Sequence, residues 1–569
     1  MKFLINALLL AACVVSGERR LGECRSNRCT PSTKVIDTFG RVAGYTEAYD
    51  DARGKVDVFL GIPYGKVNQR FADAVEPDPV HKVFQATEWG AGCPQICNAP
   101  TGYVCPVEQD EQCLSLNVFA PAGSSDRPVL FFVHGGSLEF GYSGGDVFYG
   151  DALAGRRNVV VVTANYRLGA LGFLRHSEND GSSAHGSMGL RDQQRALKWV
   201  QRNIRSFGGD PSRVFLFGES AGGAAVSYHL SSPASASLFH SAAIMSGPVG
   251  IAPLTAREAE DVGHKFLKYL KCANIDCARS AKIADILRAQ TAVKGYLTRK
   301  GKQFNAAMPW LPPTRTETLP LSPMDTLVTR QGWHPVPVLV GHLKDDSAGV
   351  LLWMDTLSPA LYRTAVTVVF GVRRGTKILR QYPVEGSDAK PALEALLNDL
   401  VFYCSNRALG KLHTRHGNDV WMYEFAHGLF FDAESSDPND SIPCLGRACH
   451  GFELPFVFDR RDAEAHLGKH FEERDRVVAE ESSAIFAAFA SRNYLHWPRF
   501  EGVEDELGER DAAWLFNSRV REVDTAHHRE ECHFWDKMGA FPFSGLKTPA
   551  TDVQAKVQEL LAVLHTHQA

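Results

Sequence analysis

The residues best placed to do chemistry are Gly218-Glu219-Ser220-Ala221-Gly222. This Gly-x-Ser-x-Gly pattern can hold a serine on a sharp strand-to-helix turn and expose its hydroxyl to a carbonyl carbon. The pattern alone is weak, because Gly141-Tyr142-Ser143-Gly144-Gly145 also matches it. Context separates the two. Val214 to Phe217 (VFLF) reads as a strand feeding Ser220, and AGGAAVSYHL (Ala221 to Leu230) reads as a helix of small residues leaving it, whereas Ser143 lies in a glycine-rich loop. Ser220 is therefore the expected nucleophile. A serine hydroxyl attacks poorly at neutral pH, so it needs a histidine to take its proton, a carboxylate to orient that histidine, and donors for the oxyanion. His134-Gly135-Gly136-Ser137 follows the apolar run VLFFV, and its bare glycines let backbone N–H groups approach a ligand oxygen. A glycine turn with a structural histidine is the other reading of that loop. Its place upstream of the serine turn favours an oxyanion loop.

These residues must be carried by strands and helices in alternation. VLFFVHGG (Val129 to Gly136) and VVVVTANYRLG (Val159 to Gly169) open with continuous apolar runs, the second wholly β-branched, as expected of central strands covered on both faces. PVPVLVG (Pro335 to Gly341) and DVWMYEF (Asp419 to Phe425) supply further strands. Helical periodicity runs over Arg191 to Ile204, Ala256 to Leu270 and Ala392 to His413. The alternation predicts an α/β class, with a large, mostly parallel central sheet and helices on both faces. No repeat or low-complexity stretch divides the chain, so a single domain is expected over residues 18–569, with its core at about 35–545.

With 569 residues, 44% of them hydrophobic and 22% charged, the chain can bury a large core and matches no disordered, collagenous or coiled-coil composition. Its 61 basic and 65 acidic residues leave a net charge of −4, too small to argue for nucleic acid or an anionic membrane as partner. The segment Met1 to Gly17 reads as a secretory signal peptide: Lys2, an apolar run from Phe3 to Val15, then Val15-Ser16-Gly17 as the cleavage site. A bacterial lipoprotein signal ending at Cys13 would use the same residues. VQAKVQELLAVL (Val553 to Leu564) is interrupted by Lys556, Gln558 and Glu559, which makes it an amphipathic helix. An extracellular location is therefore expected, with no membrane-spanning segment. Removing Cys13 with the signal leaves an even number of cysteines, with no Cys-x-x-Cys pair and no zinc-type histidine pair. Disulfides are expected and a metal is not. The sequon Asn439-Asp440-Ser441 fits a glycosylated, exported chain.

Further segments in order, FLGIPYG (Phe59 to Gly65), QCLSLNV (Gln112 to Val118), NYRLGALGFL (Asn165 to Leu174), GLRDQQRALKWVQRNIRSFGGDP (Gly189 to Pro211) and GESAGG (Gly218 to Gly223), together with the His-Gly-Gly loop, resemble landmarks of the type-B carboxylesterase and cholinesterase family of α/β-hydrolases. The resemblance covers most of the mature chain. It implies an α/β-hydrolase fold and an oxyanion hole built from the amides of Gly136, Ser137 and Ala221, Ser137 standing where the cholinesterases commonly have glycine. CHGFELPFVF (Cys449 to Phe458) is similar to the family segment carrying the catalytic histidine, which implies His450. GHLKDDSAGVL (Gly341 to Leu351) is similar to the one carrying the acid, which implies Asp346. There the family usually has Glu-Gly where this chain has Asp346-Ser347, so Asp345 and a plain surface charge pair remain alternatives. The order Ser220, Asp346, His450 is that of the fold. The resemblance also implies the disulfides Cys93–Cys113, Cys272–Cys277 and Cys404–Cys532. Proximity suggests local pairs for the rest: Cys24 with Cys29, Cys97 with Cys105, and Cys444 with Cys449, the last stapling the chain just before His450.

In the cholinesterases a tryptophan in the loop closed by the first disulfide holds the quaternary ammonium. Here the loop from Cys93 to Cys113 contains Tyr103 and no Trp, which implies a general esterase acting on small-molecule esters without a cofactor. Glu219 could favour a cation beside the nucleophile or serve as a structural acceptor. Two other readings share the scaffold: a non-catalytic adhesion or binding protein, and a stoichiometric scavenger of organophosphates or carbamates. The sequence specifies neither the ester nor an oligomeric state.

Overall fold

The structure is a computed structural model. It describes residues 28–540 apart from 37–38, 98–103, 178–182, 300–304, 307, 353, 429–443, 445, 462–470, 502–511, 518–520 and 525–527. The signal segment, Cys24, Tyr103, Asn439 and Val553 to Leu564 lie outside the described residues.

The strands are β1 (Cys29–Ile36), β2 (Gly40–Ala48), β3 (Lys55–Pro63), β4 (Phe84–Gln85), β5 (Ser115–Pro121), β6 (Arg127–Val133), β7 (Val160–Ala164), β8 (Arg175–Ser177), β9 (Ser183–His185), β10 (Gly209–Glu219), β11 (Ser241–Met245), β12 (Val338–Leu343), β13 (Val420–Phe425), β14 (Ala513–Phe516) and β15 (Arg521–Asp524). All but the hairpin β8–β9 form one sheet in the order β1-β2-β3-β5-β7-β6-β10-β11-β12-β13-β14-β15, with β4 beside β2. From β7 to β14 every neighbour is parallel. The expectation of a mostly parallel sheet describes this centre; β1, β2, β3 and β5 and the final pair β14–β15 are antiparallel. Short connections reverse the chain between β1 and β2 and between β2 and β3, whereas the central strands are separated by helices that return it to the same end.

The apolar runs alternate between two cores. Val129, Phe131 and Val133 of β6, Val160 and Val162 of β7, and Val338 and Val340 of β12 enter one core. Leu130 and Phe132, Val161, Phe215 and Phe217 of β10, and Leu339 enter the other. A strand with no polar face is explained by this two-sided burial. Helices Met188–Asn203 and Ala256–Leu270 fall where periodicity places them. The second begins on a capping box, with Thr255 Oγ1 accepting from the Glu258 N–H and Glu258 Oε2 accepting from the Thr255 N–H. The stretch read as one helix over Ala392 to His413 is three pieces: Lys390–Leu397, a π-helical turn Asn398–Tyr403, and Cys404–Thr414. The wider turn points Asn398 and Asp399 into the protein, where both are buried.

The disulfides Cys93–Cys113, Cys97–Cys105, Cys272–Cys277, Cys404–Cys532 and Cys444–Cys449 are formed. Among the described residues no helix is long and apolar enough to cross a membrane.

Candidate active site

The parallel strands end at one edge of the sheet, and the expected site residues follow those ends. At the end of β10, Ser220 takes φ 57° and ψ −124°, and helix Ala221–Ser231 starts directly after it. For a residue with a Cβ this backbone is strained, and the neighbours hold it there. The Ser220 N–H donates to Met245 O of the adjacent strand at 2.9 Å. A Cβ on Gly218 would fall 2.6 Å from the Gly222 carbonyl, and one on Gly222 would fall 2.1 Å from Val133 O, so both turn glycines are required by close approach. The second pattern match does something else: Ser143 is buried, its N–H donating to Asn165 Oδ1 at 2.9 Å and its hydroxyl within 3.3 Å of Asn117 Nδ2.

The His-Gly-Gly loop leaves β6 beside this turn. A Cβ on Gly135 would lie 3.1 Å from that of Ser220. Gly136, Ser137 and Leu138 have φ of 98°, 56° and 57° in succession. Gly136 O accepts from the N–H groups of Glu139 and Phe140, which closes the loop, while the N–H groups of Gly136 and Ser137 donate to no backbone carbonyl among the described residues. Ala221 opens its helix, where first-turn N–H groups have no intrahelical acceptor. Among the described residues these three N–H groups thus make no backbone hydrogen bond, two of them in the loop that passes Ser220 at Gly135 and the third in the residue after it.

Asp346 follows β12 and is fully buried. Its Oδ1 lies 2.7 Å from His450 Nδ1, and its Oδ2 accepts from Ser246 Oγ at 2.9 Å and from the Leu343 N–H at 2.8 Å. Asp345 turns the other way, accepting from Arg447 Nη2 at 2.8 Å and from the Ala448 N–H at 3.2 Å. The two acidic neighbours are therefore distinguished by direction. The backbone of Asp345 bridges to that of Cys449, its N–H donating to Ala448 O at 3.0 Å. This bridge, the Cys444–Cys449 disulfide and the close approach of Gly349 hold His450 in place; a Cβ on Gly349 would lie 2.9 Å from the histidine's N and Cβ. Asn398 supports the acid segment by donating to Lys344 O at 3.1 Å and accepting weakly from the Ser347 N–H at 3.4 Å.

Nε2 of His450 faces Glu219 Oε1 at 3.3 Å, and Ser220 Oγ makes no hydrogen bond among the described residues. Burial opposes charge on the imidazole, but the Glu219 carboxylate and the hydrogen bond to Asp346 outweigh it and raise the histidine to about 9. Glu219 is itself pushed up to about 7 by burial, against the pull of His450. Glu453, fully buried, is pushed well above the usual carboxylate range by burial and by the charges of Glu219 and Asp346. Neither oxygen of Glu453 has a hydrogen-bond partner among the described residues. The upward shifts of Glu219 and His450 act against each other, since a protonated Glu219 no longer stabilises imidazolium. At 3.3 Å the two groups titrate as a linked pair. Of the two readings of Glu219, the contact with His450 is in line with one that favours a cation beside the nucleophile, here the imidazolium. Ser246, Asn398 and Glu453 were not found by sequence reasoning. Only Glu453, three residues after His450, carried a local signal.

The sequence matches the carboxylesterase family over residues 31–535. It is 32% identical to pyrethroid hydrolase Ces2a of Mus musculus over 535 residues, covering 88% of this chain and 90% of the relative. It is 31% identical to the crystal protein of Dictyostelium discoideum, covering 85% and 86%, and 30% identical to para-nitrobenzyl esterase of Bacillus subtilis (strain 168), covering 82% and 92%. A solved structure of a PNB esterase, 27% identical, superposes with a TM-score of 0.73 over 89% of this chain and 99% of the other. The fold is that of an α/β-hydrolase, and the chain belongs to the carboxylesterase family, as a carboxylic ester hydrolase.

Proposed function

We propose that this is a secreted serine esterase of one catalytic domain, in which Ser220, His450 and Asp346 act through an acyl-enzyme. The observation that carries the reading is the 2.7 Å contact between His450 Nδ1 and Asp346 Oδ1, at the sheet edge where Ser220 occupies its strained turn. Asp346 fixes the imidazole with its proton on Nδ1, so that Nε2 accepts the proton of Ser220 as Oγ attacks the ester carbonyl carbon. The developing oxyanion accepts hydrogen bonds from the amides of Gly136, Ser137 and Ala221. Nε2 then returns the proton to the departing alcohol. Water, deprotonated by the same nitrogen, attacks the acyl-serine and frees the acid. This sequence requires Nε2 to leave Glu219 for Ser220 Oγ, a tightening that substrate binding commonly brings about.

Para-nitrobenzyl and pyrethroid hydrolases among the relatives support neutral esters as substrates. Five described disulfides support an oxidising compartment. Hydrolysis of p-nitrophenyl acetate and butyrate, with acetylthiocholine beside them, tests the reading on the purified protein and on Ser220→Ala. Loss of the nucleophile is expected to lower kcat by about 10⁴-fold or more. Acetylthiocholine is expected to lag by about thirtyfold, the equivalent of a missing cation–π contact of about 2 kcal/mol. Full activity in Ser220→Ala would overturn the site. Absence of turnover in the folded wild type would favour the binding protein, and stoichiometric phosphorylation without turnover would favour the scavenger.

A further inference from the structure

Away from Ser220, four titratable side chains converge where β12, β13, the π-helical turn and helix Arg529–Lys537 meet. His342 and Glu424 are direct partners in the parallel register of β12 and β13, so their side chains share one face of the sheet. His342 Nε2 lies 3.1 Å from Glu424 Oε2, and His528 Nε2 lies 3.5 Å from the same oxygen. All three ligand atoms fall within 4.8 Å of one another. Four ligands around a Zn²⁺ at bonds of about 2.0–2.1 Å stand roughly 3.3 Å apart. The two separations from Glu424 Oε2 match that spacing before any adjustment.

The outer contacts also have the form that metal sites use. His528 turns its other nitrogen, Nδ1, towards Asp399 Oδ1 at 3.4 Å. A ligating histidine whose second nitrogen faces a carboxylate is fixed in tautomer and direction. Asp399 is oriented in turn, because Tyr382 Oη donates to its Oδ2 at 2.8 Å and Trp535 Nε1 donates to Tyr382 Oη at 2.8 Å. The ring of Tyr403 packs against both histidines, with centroids 4.3 and 4.7 Å away, and forms an apolar wall. Charge points the same way. Asp399 and Glu424 are two buried carboxylates beside the histidines, a negative environment that favours a cation. The His528 side chain is 29% exposed while those of His342 and Glu424 are 1% and 6% exposed, so solvent reaches the group at His528.

We infer that His342, Glu424 and His528 form a binding site for a divalent transition-metal ion, Zn²⁺ by its nitrogen and oxygen donors, with Asp399 as the outer carboxylate and one coordination position left for water. The ion ties the end of β12, three residues before Asp346 begins its turn, to the helix anchored by Cys404–Cys532. Sequence spacing could not show this, because the ligands come from three distant segments and none is a cysteine. A second group, His176, Glu260 and His264, has comparable spacing. Its carboxylate already accepts from the Ser177 N–H and hydroxyl and lies 3.4 Å from Arg175 Nε. That guanidinium disfavours a second cation there, and His264→Ala serves as the control.

The test is Zn²⁺ binding to the chelator-stripped full-length mature protein, read by competition with a chromophoric chelator, with Co²⁺ as a spectroscopic substitute. Wild type and His264→Ala are expected to bind one equivalent, and Co²⁺ to give the intense visible bands of a tetrahedral site. His528→Ala is expected to weaken binding by about 100-fold or more, and Asp399→Asn by about 10–100-fold. An equivalent that survives His528→Ala, or that only His264→Ala abolishes, overturns the assignment. Should His528→Ala fail to fold by circular dichroism, the wild type decides alone: no stoichiometric Zn²⁺ and no tetrahedral Co²⁺ spectrum would mean that His528 is held as a protonated bridge between Asp399 and Glu424.

Discussion

Replacing Glu219 by glutamine removes one negative charge 3.3 Å from His450 Nε2 and keeps the shape of the side chain. The histidine must be neutral to take the serine proton, so activity is lost as the pH falls through its pKa. Its elevation to about 9 is owed, against burial, to Glu219 and then to Asp346. Removing the first charge destabilises imidazolium, lowers the pKa, and carries the acidic limb of the rate profile to lower pH. The magnitude follows from Coulomb's law: at 3.3 Å and an effective dielectric constant of about 20, two full charges interact by about 5 kcal/mol, or about 3.7 pH units. That is a ceiling, because Glu219 is pushed up to about 7 and is only partly ionised at neutral pH. A displacement of about one to two units is therefore expected. The assay is kcat/KM for p-nitrophenyl acetate against pH, which reports groups of the free enzyme. The acidic limb of Glu219→Gln should move downward. A limb that stays in place would show that Glu219 is neutral in the free enzyme and that Asp346 alone sets the base; a limb that moves upward would refute the electrostatic reasoning.

Asp346→Asn is expected to lower kcat by about 10⁴-fold through loss of the imidazole tautomer, whereas Asp345→Asn, whose carboxylate faces Arg447, should keep most activity; equal losses in esterase assays would reverse that assignment. Ser246→Ala removes one of two donors to Asp346 Oδ2 and should reduce kcat about tenfold with little change in KM, the worth of one charged hydrogen bond. Gly349→Ala would press a methyl group onto the His450 backbone at 2.9 Å, and kcat should fall by about 100-fold while thermal unfolding changes little. The double variant Cys444→Ser/Cys449→Ser should lose about 2 kcal/mol of stability in denaturant unfolding, and its kcat should fall as the loop before His450 loosens; unchanged kcat would mean that the Asp345–Cys449 bridge positions the histidine unaided.

What the sequence made legible follows physical scale. Strand runs such as Val129 to Val133 were readable because two-sided burial leaves no polar position in them, and the serine turn because Gly218 and Gly222 meet backbone that only hydrogen can approach. The family resemblance implied His450 and Asp346, with Asp345 left as the alternative acid. The two carboxylates differ in side-chain direction, Asp346 being held by the Leu343 N–H and Ser246 Oγ and Asp345 by Arg447, across gaps of up to about a hundred residues. The π-helical turn was unreadable for a related reason. Its residues Asn398 to Tyr403 have ordinary helical periodicity, and the extra width is visible only in what Asn398 and Asp399 reach: the carbonyl of Lys344 behind the acid, and the histidine of a segment more than a hundred residues later.

The same gap separates Glu219 as a motif position from Glu219 as a charge. Its place beside the nucleophile is local and was read at once. Its effect depends on burial and on His450 and Asp346, the histidine lying one residue after the Asp345–Cys449 bridge. Three carboxyl groups around one imidazole cannot all be ionised without large cost in a buried site. The fold therefore distinguishes them by their donors. Asp346 accepts from the Ser246 hydroxyl and the Leu343 N–H and faces the imidazole, while Glu453, with no donor among the described residues, is pushed well above the usual carboxylate range by burial and by the neighbouring charges. Glu219 sits between these extremes, which is why its replacement is the change that the rate profile of the histidine should report most directly.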